Sequence, residues 1–200
     1  MEASGGPVLG RPRDPGVDDR ITRAAAEVFG AYGWARFSVD AVARHAGVGK
    51  ASIYLRWANK EALLAAALAS RLAGVNDIDT GSVRDDLVLL ARQVLRAFLD
   101  EAGGAVLRLL VEADGIPSGQ EHLDRFLDSQ AAAGRAIVRR GVERGQLPAG
   151  TSATMLLDCI SGGALSHVLA TPARLRARVA AGADEYAERL VDFVLVSVRQ

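Results

Sequence analysis

Residues 38–64 read SVDAVARHAGVGKASIYLRWANKEALL and contain both lysines of the chain. Ser38 is a favourable N-cap for a short helix, VDAVARHA, and Gly47 is suited to end that helix in a tight turn. A second short helix is predicted over residues 50–57, and Asn59 is an N-cap for the longer helix that follows. Two short helices joined by a glycine-containing turn are typical of a helix-turn-helix, whose second helix enters the major groove of DNA.

The second short helix carries residue types that suit contact with a duplex. Its small residues permit close approach, its lysine can neutralise a phosphate, and its hydroxyl groups can donate to phosphate oxygens or meet base edges. The alternative is a structural helical corner whose polar residues face water. The residues expected at the outward face, depending on the turn, are Gly49, Lys50, Ala51, Ser52, Tyr54, Leu55 and Arg56.

Charge is distributed unevenly, although the net charge of the 200 residues is zero. The first 60 residues carry nine basic and six acidic side chains, and the remaining 140 carry 15 and 18. An anionic partner would therefore meet the front third of the chain, although a swing of three charges is also consistent with chance. No apolar run reaches the roughly 18 residues that span a bilayer, and the N-terminus lacks a signal-peptide core. We expect a cytoplasmic protein with no membrane partner.

Helical periodicity organises the rest of the chain, and no strand pattern appears, so the predicted fold is all-α. The segment 105–113 is apolar nearly all round and is expected to be buried. The predicted helices span residues 17–32, 39–46, 50–57, 59–73, 83–101, 105–113, 120–144, 151–169 and 183–199.

The run GWARFSVDAVARHAGVGKASIYLRWANKEAL, residues 33–63, resembles the DNA-binding domain of TetR-family transcriptional regulators. Three positions depart from the family pattern: Phe37 stands where threonine is usual, Gly49 where serine caps the recognition helix, and Trp57 where phenylalanine is common. Without a serine cap, the first N–H groups of the recognition helix are free to face a phosphate.

The resemblance implies a three-helix helix-turn-helix domain over residues 17–60 and a helical effector-binding and dimerisation domain over 61–200. It also implies partners, namely a palindromic double-stranded DNA operator, a second copy of the chain and a small-molecule effector. The residues that it places on the phosphate backbone are Ser38, Tyr54 and Lys60. Those that it assigns to base reading are Lys50, Ala51 and Ser52, with Leu55 or Arg56.

We expect residues 1–16 to form a flexible basic arm, with the sequence GRPRDPG near its end. Arg11 and Arg13 would enter a minor groove when the arm orders on DNA. The alternative is a solvated tail that contacts nothing.

The last two predicted helices carry a wider apolar surface than one intramolecular neighbour usually covers. Small residues in the first of them allow a close approach between helices, which favours a four-helix bundle formed with a second chain. The resemblance implies the same dimer, and the alternative is ordinary monomer core. The residues predicted at this interface are Met155, Cys159, Gly162, Gly163, Leu190, Phe193 and Val194.

The resemblance further implies an apolar effector pocket among the middle helices, although plain core is the alternative at each position. The residues predicted to line it are Leu90, Val94, Leu107, Leu110, Phe126 and Leu127.

A catalytic function is not expected. The three histidines are far apart in the sequence, and Cys159 and His167 lie about two helical turns apart. No spacing suggests a metal or cofactor site, and none is predicted. The expected function is a homodimeric repressor that a small, largely apolar effector releases from its operator. The alternative is a helix-turn-helix protein with a filled core and no sensing of small molecules.

Overall fold

The computed structural model describes residues 15–71, 78–99 and 103–198, and within these ranges the secondary structure is helical, without strands. Short 3-10 turns lie at Trp34–Arg36, Ala113–Gly115 and Ala173–Leu175. The α-helices are α1 (Pro15–Tyr32), α2 (Val39–Ala46), α3 (Lys50–Tyr54), α4 (Lys60–Arg71), α5 (Val83–Leu99), α6 (Gly103–Glu112), α7 (Gly119–Glu143), α8 (Ala153–Ala170), α9 (Arg176–Ala181) and α10 (Ala183–Val198).

Local capping explains where the N-terminal helices begin. The Ser38 hydroxyl accepts a hydrogen bond from the backbone N–H of Ala41 at 3.2 Å, and α2 starts at the next residue. The Asn59 side chain accepts from the N–H of Ala62 at 2.8 Å and starts α4 in the same way. Both caps confirm the predicted helix starts.

Helices α1 to α3, here called the head, share one hydrophobic cluster with α4, α6 and the start of α7. Ile21, Phe29 and Ile53 are fully buried in it, as is Leu109 of α6. The cluster runs across the predicted domain boundary at residues 60 and 61, so the head packs directly against α6. Helices α4 to α10 are here called the body. A second cluster, formed by α5, α7, α8 and α10, makes the core of the body.

Several predicted bounds and faces differ from the structure. Helix α3 ends at Tyr54 instead of residue 57, because the N–H groups of residues 56 and 57 both turn back to the carbonyl of Ile53. Helix α6 is not buried all round: Val111 is 83% exposed, because α1, α5 and α7 cover only part of its circumference. Residues 72–77 and 100–102 lie outside the described residues, so the predicted ends of two helices there are untested.

Helix α8 is long and apolar enough to cross a membrane by length and composition alone, which the sequence patterns did not indicate. Four of its residues are buried in the body core, and the apolar residues on its other face are open to solvent. A core helix of a soluble protein passes the same test, so this property is weak evidence for a membrane span.

Candidate nucleic-acid interface

Helices α2 and α3 form the predicted helix-turn-helix. Gly47 has a left-handed conformation, with φ of 65°, and its N–H bonds to the end of α2, so the chain turns sharply towards α3. Ile53 is the inward anchor of α3 and is fully buried against the head core. This single apolar anchor leaves the remaining residues of the short helix at the surface.

The outward face of α3 is open to solvent. Lys50 and Ala51 are exposed, Tyr54 is 55% exposed, and Leu55, which follows the helix, is 75% exposed. Two large apolar or aromatic residues that project side by side into water have no partner within the described chain. Such a face suits close contact with a base edge or a thymine methyl group.

The start of α3 lacks a side-chain cap, as the sequence indicated. Gly49 occupies the N-cap position in an extended conformation, and nothing lies within 4 Å of the position that a Cβ would occupy. The first N–H groups of α3 are therefore accessible to a phosphate oxygen, and the small residue permits close approach.

Lys50 forms an ion pair with Asp40 of α2, with Nζ and Oδ1 2.6 Å apart. Both side chains are more than half exposed, so this pair contributes little stability. A phosphate can therefore replace Asp40 as the partner of the lysine at low cost.

Arg56 does not fit the predicted base-reading role. Its side chain is only 14% exposed and forms an ion pair with Asp18 of α1. Its guanidinium also donates to the carbonyl oxygen of Ser52 at 2.9 Å and to the Ser52 hydroxyl at 3.2 Å. Arg56 thus ties the end of α3 to α1, and the hydroxyl predicted to meet DNA at Ser52 already has a partner inside the chain.

Two of the three predicted phosphate contacts, Ser38 and Lys60, are also engaged within the protein. The Ser38 hydroxyl caps α2, and the ammonium group of Lys60 lies 3.7 Å from the centroid of the Trp34 ring. Lys60 remains partly exposed, so its charge stays near the surface of the head. Arg11 and Arg13 lie outside the described residues.

The structure adds two basic residues that the sequence patterns did not single out. Arg36 and Arg44 are exposed and line a surface groove of about 500 Å³ together with Tyr32 and His45. Arg44 lies on the outward face of α2, and the helical period of the VDAVARHA segment could have identified it. These exposed cations add positive charge to the surface of the head formed by α1, the turn at Trp34–Arg36 and α2.

The predicted pocket residues do not lie together. Leu90 and Val94 are buried in the body core, whereas Leu110 packs against the cluster shared by head and α6. Phe126 is buried, but Leu127 is 46% exposed, because α7 turns that side towards solvent. Leu127 therefore faces solvent in the single chain, while Phe126 faces inward. Leu107 lines a separate groove between head and body.

The predicted dimer surface is largely open in the single chain. Met155, Cys159 and Gly162 on α8 are exposed, and Phe193 on α10 is 74% exposed. An apolar groove of about 780 Å³ lies on this surface, and its lining includes Met155, Cys159, Gly163, Leu190 and Phe193. Val194 differs from its neighbours because it is 7% exposed and packs mainly into the body core of its own chain, so it offers little surface to a partner.

Histidines and acidic residues form no candidate metal cluster within the described ranges. His45 is paired with Glu27, with Nε2 and Oε2 2.6 Å apart, and His167 stacks on Tyr186 with ring centroids 3.8 Å apart. Burial raises the pKa of the Tyr186 hydroxyl, and the charge of Arg189 opposes that shift.

Two family profiles match this sequence. "Bacterial regulatory proteins, tetR family" matches residues 21–67, and "Tetracyclin repressor-like, C-terminal domain" matches residues 77–194. The HTH-type transcriptional regulator YdeS of Bacillus subtilis is 30% identical over 165 residues, which cover 81% of this chain and 83% of that protein.

Solved structures share the fold. MexZ, a key repressor responsible for antibiotic resistance in Pseudomonas aeruginosa, superposes with a TM-score of 0.70 at 24% identity and covers 94% of this chain and 96% of its own. The regulator FadR from Bacillus subtilis, solved in complex with stearoyl-CoA, superposes with a TM-score of 0.65 at 16% identity and covers 88% and 96%. At these identities the likeness shows the fold alone.

Proposed function

Since this chain belongs to the TetR family of DNA-binding transcriptional regulators, we propose that it is a homodimeric repressor that a small, largely apolar effector releases from a palindromic operator. Family membership also establishes that the chain is a regulator and not an enzyme. The observation that carries the proposal is the outward face of α3, where Lys50, Ala51, Tyr54 and Leu55 project from a helix anchored by one buried residue.

The proposed contacts follow from the accessible groups. In this proposal the exposed Ala51 would approach the floor of the major groove, and the exposed Tyr54 and Leu55 would flank it. Lys50 would exchange Asp40 for a phosphate, and the free N–H groups after Gly49 would donate to a second phosphate. Lys60, Arg36 and Arg44 would add electrostatic attraction to the phosphates of DNA, and this attraction does not depend on the base sequence.

The apolar surface of α8 and α10 supports the proposed dimer. A single α3 reads too few base pairs, whereas two copies about 34–36 Å apart read successive major grooves. Met155 and Phe193 are exposed and line one contiguous apolar groove. Single apolar residues scattered over a surface are normal for a monomer, whereas a contiguous apolar patch marks an interaction site. Pairing α8 and α10 with their symmetry mates would bury this groove. We place the dimer in the cytoplasm, where its DNA lies.

Release by an effector requires a connection from body to head. Helix α4 packs on α1 and begins directly after the head, so its movement would change the separation of the two α3 helices. Helix α6 gives a second connection: Glu112 accepts a hydrogen bond from the N–H of Trp34 at 2.8 Å, and Arg108 donates to the carbonyl of Gly30 at 3.3 Å. To shift the ratio of DNA-competent to DNA-incompetent molecules from 99:1 to 1:99, the effector must bind the incompetent state more tightly than the competent state by about 5.5 kcal/mol.

The stearoyl-CoA complex of FadR supports an apolar effector in this fold. The tight packing of Leu90 and Val94 favours the second candidate, a repressor with a filled core that senses no small molecule. The two candidates predict the same DNA binding and differ in whether any ligand alters it.

An electrophoretic shift assay with DNA from upstream of the protein's own gene tests DNA binding. We expect binding that weakens steeply as the salt concentration rises, because phosphate contacts release counterions. Size-exclusion chromatography with light scattering tests the dimer. Phe193→Glu should produce monomers that no longer shift the DNA, whereas Val111→Glu, at an equally exposed apolar site on α6, should remain dimeric. Monomeric wild-type protein would contradict the proposal.

A further inference from the structure

A groove of about 430 Å³ lies where the head meets the body. One side is formed by α1, through Glu27, Gly30 and Ala31. The opposite side is formed by the ends of α5 and α8, and α9 closes the rim with Arg176 and Ala177. The volume is within the range of sites that take small organic ligands. A molecule in this groove would touch one helix of the head, α1, and four other helices, α5, α6, α8 and α9, at once.

Five of the residues that line the groove have large apolar side chains. They come from helices far apart in the sequence, with Phe98 and Leu99 at the end of α5, Leu107 on α6, and Val168 and Leu169 at the end of α8. Leu169 is exposed, and the other four are at least partly buried. Such walls suit a hydrocarbon or aromatic body rather than a hydrated ion.

The lining also includes Gly30 and Gly104, where α1 and α6 make a close contact. A Cβ built on Gly30 would lie 2.7 Å from the backbone nitrogen of Ala105 and 2.8 Å from the carbonyl carbon of Gly104. The two backbones therefore touch without intervening side chains, and Ala31 and Ala177 add little bulk above them. The space is thus a consequence of small residues on three separate segments.

Two charged side chains line the groove, Glu27 and Arg176, and they differ in whether another side chain already pairs with them. Glu27 is already paired with His45 at 2.6 Å. Arg176 is exposed and has no ion-pair partner among residues 15–71, 78–99 and 103–198. Of the two charged residues that line the groove, the unpaired one is therefore the cation, and a guanidinium binds carboxylates through two parallel hydrogen bonds.

We infer that this groove binds an amphipathic monocarboxylate, with its carboxylate on Arg176 and its apolar body between Phe98, Leu107 and Val168. The inference rests on the proposed repressor function, since it names the effector class and the place where it binds. The ligand wedges directly between α1 and the body, so it alters the position of the head through the α1–α6 contact without passing through α4.

Isothermal titration of the full-length protein with decanoate tests the site. Arg176→Gln should weaken decanoate binding by about tenfold or more, because a charge-assisted hydrogen bond is removed. Ala177→Trp should abolish binding by filling the groove. The matched controls Arg178→Gln and Ala181→Trp lie on the same short helix outside the lining, and they should bind decanoate as the wild type does. Equal affinity in all five proteins, or no binding of decanoate to the wild type, would overturn the inference.

A parallel shift assay separates this inference from the proposed function. Decanoate should weaken operator binding by the wild type and both control variants, and leave binding by Ala177→Trp unchanged. Failure of every protein to bind the upstream DNA would refute the repressor function, whereas the calorimetric pattern would still report on the groove. Decanoate that binds in the expected pattern without changing operator affinity would refute its role as effector.

Discussion

Replacement of Arg56 by methionine tests whether this residue holds α3 in place or reads bases. The substitution keeps the apolar length of the side chain and removes the guanidinium. Two hydrogen bonds to Ser52 disappear, at 2.9 Å and 3.2 Å, together with the ion pair to Asp18. A hydrogen bond contributes about 0.5–1.5 kcal/mol, and the ion pair adds at most about 1 kcal/mol because Asp18 is half-exposed. We expect the free energy of unfolding to fall by about 2 kcal/mol.

Urea denaturation followed by circular dichroism measures this decrease, with Arg44→Met as the control. Arg44 is exposed on α2 and makes no ion pair within the described chain, so its replacement should change stability by less than about 0.5 kcal/mol. Shift assays with singly substituted operators complete the test. Arg56→Met should weaken binding to all of them by the same factor. Unchanged stability combined with reduced discrimination at one base pair would refute the structural role of Arg56.

Three further predictions concern charge and packing. Lys50→Ala should reduce the slope of log affinity against log salt by about 0.9 if the lysine neutralises one phosphate, and an unchanged slope in a salt titration would exclude that role. Gly30→Ala should destabilise the protein by about 1–3 kcal/mol in urea because the new Cβ meets backbone, while Gly115→Ala, with nothing within 4 Å, should be nearly neutral. The pKa of the Asp79 carboxyl is lowered from its usual 3.8, chiefly by the hydrogen bond from Arg144. The ionised carboxylate therefore stabilises the fold above pH 3.8, and this contribution is lost as the pH falls through the lowered pKa. Asp79→Asn should flatten the acid limb of a curve of stability against pH, and identical curves for the two proteins would contradict this.

Local signals in the sequence were sufficient to predict the bounds of α2 and the buried face of α4. Helix α2 has its predicted bounds because the Ser38 cap and the left-handed Gly47 act within a few residues of the helix. The inward stripe of α4, including Leu63 and Leu64, follows from the 3.6-residue period and is buried. These features depend on neighbours along the chain, and such neighbours are visible in a sequence.

Features that depend on distant partners could not be predicted in this way. Arg56 was predicted to read bases because it is a basic residue at the end of the recognition helix. Its actual partner, Asp18, is 38 positions away, and no local pattern indicates that pairing. Leu127 has the spacing of an inward residue, but it lies on a side of α7 that faces solvent and is 46% exposed. The groove beside Arg176 combines segments from α1, α5, α6, α8 and α9, and no local pattern brings them together.

The most direct test of the central claim is a comparison of operator affinity between Ala51→Glu and Ala132→Glu. Ala51 lies on the outward face of α3, and Ala132 is an exposed residue on α7 of the body. A carboxylate at position 51 would meet the floor of the major groove and the phosphates beside it. We predict that Ala51→Glu remains folded and dimeric but no longer binds the operator, while Ala132→Glu binds with wild-type affinity. Retained operator binding by folded Ala51→Glu would contradict the assignment of α3 as the recognition helix.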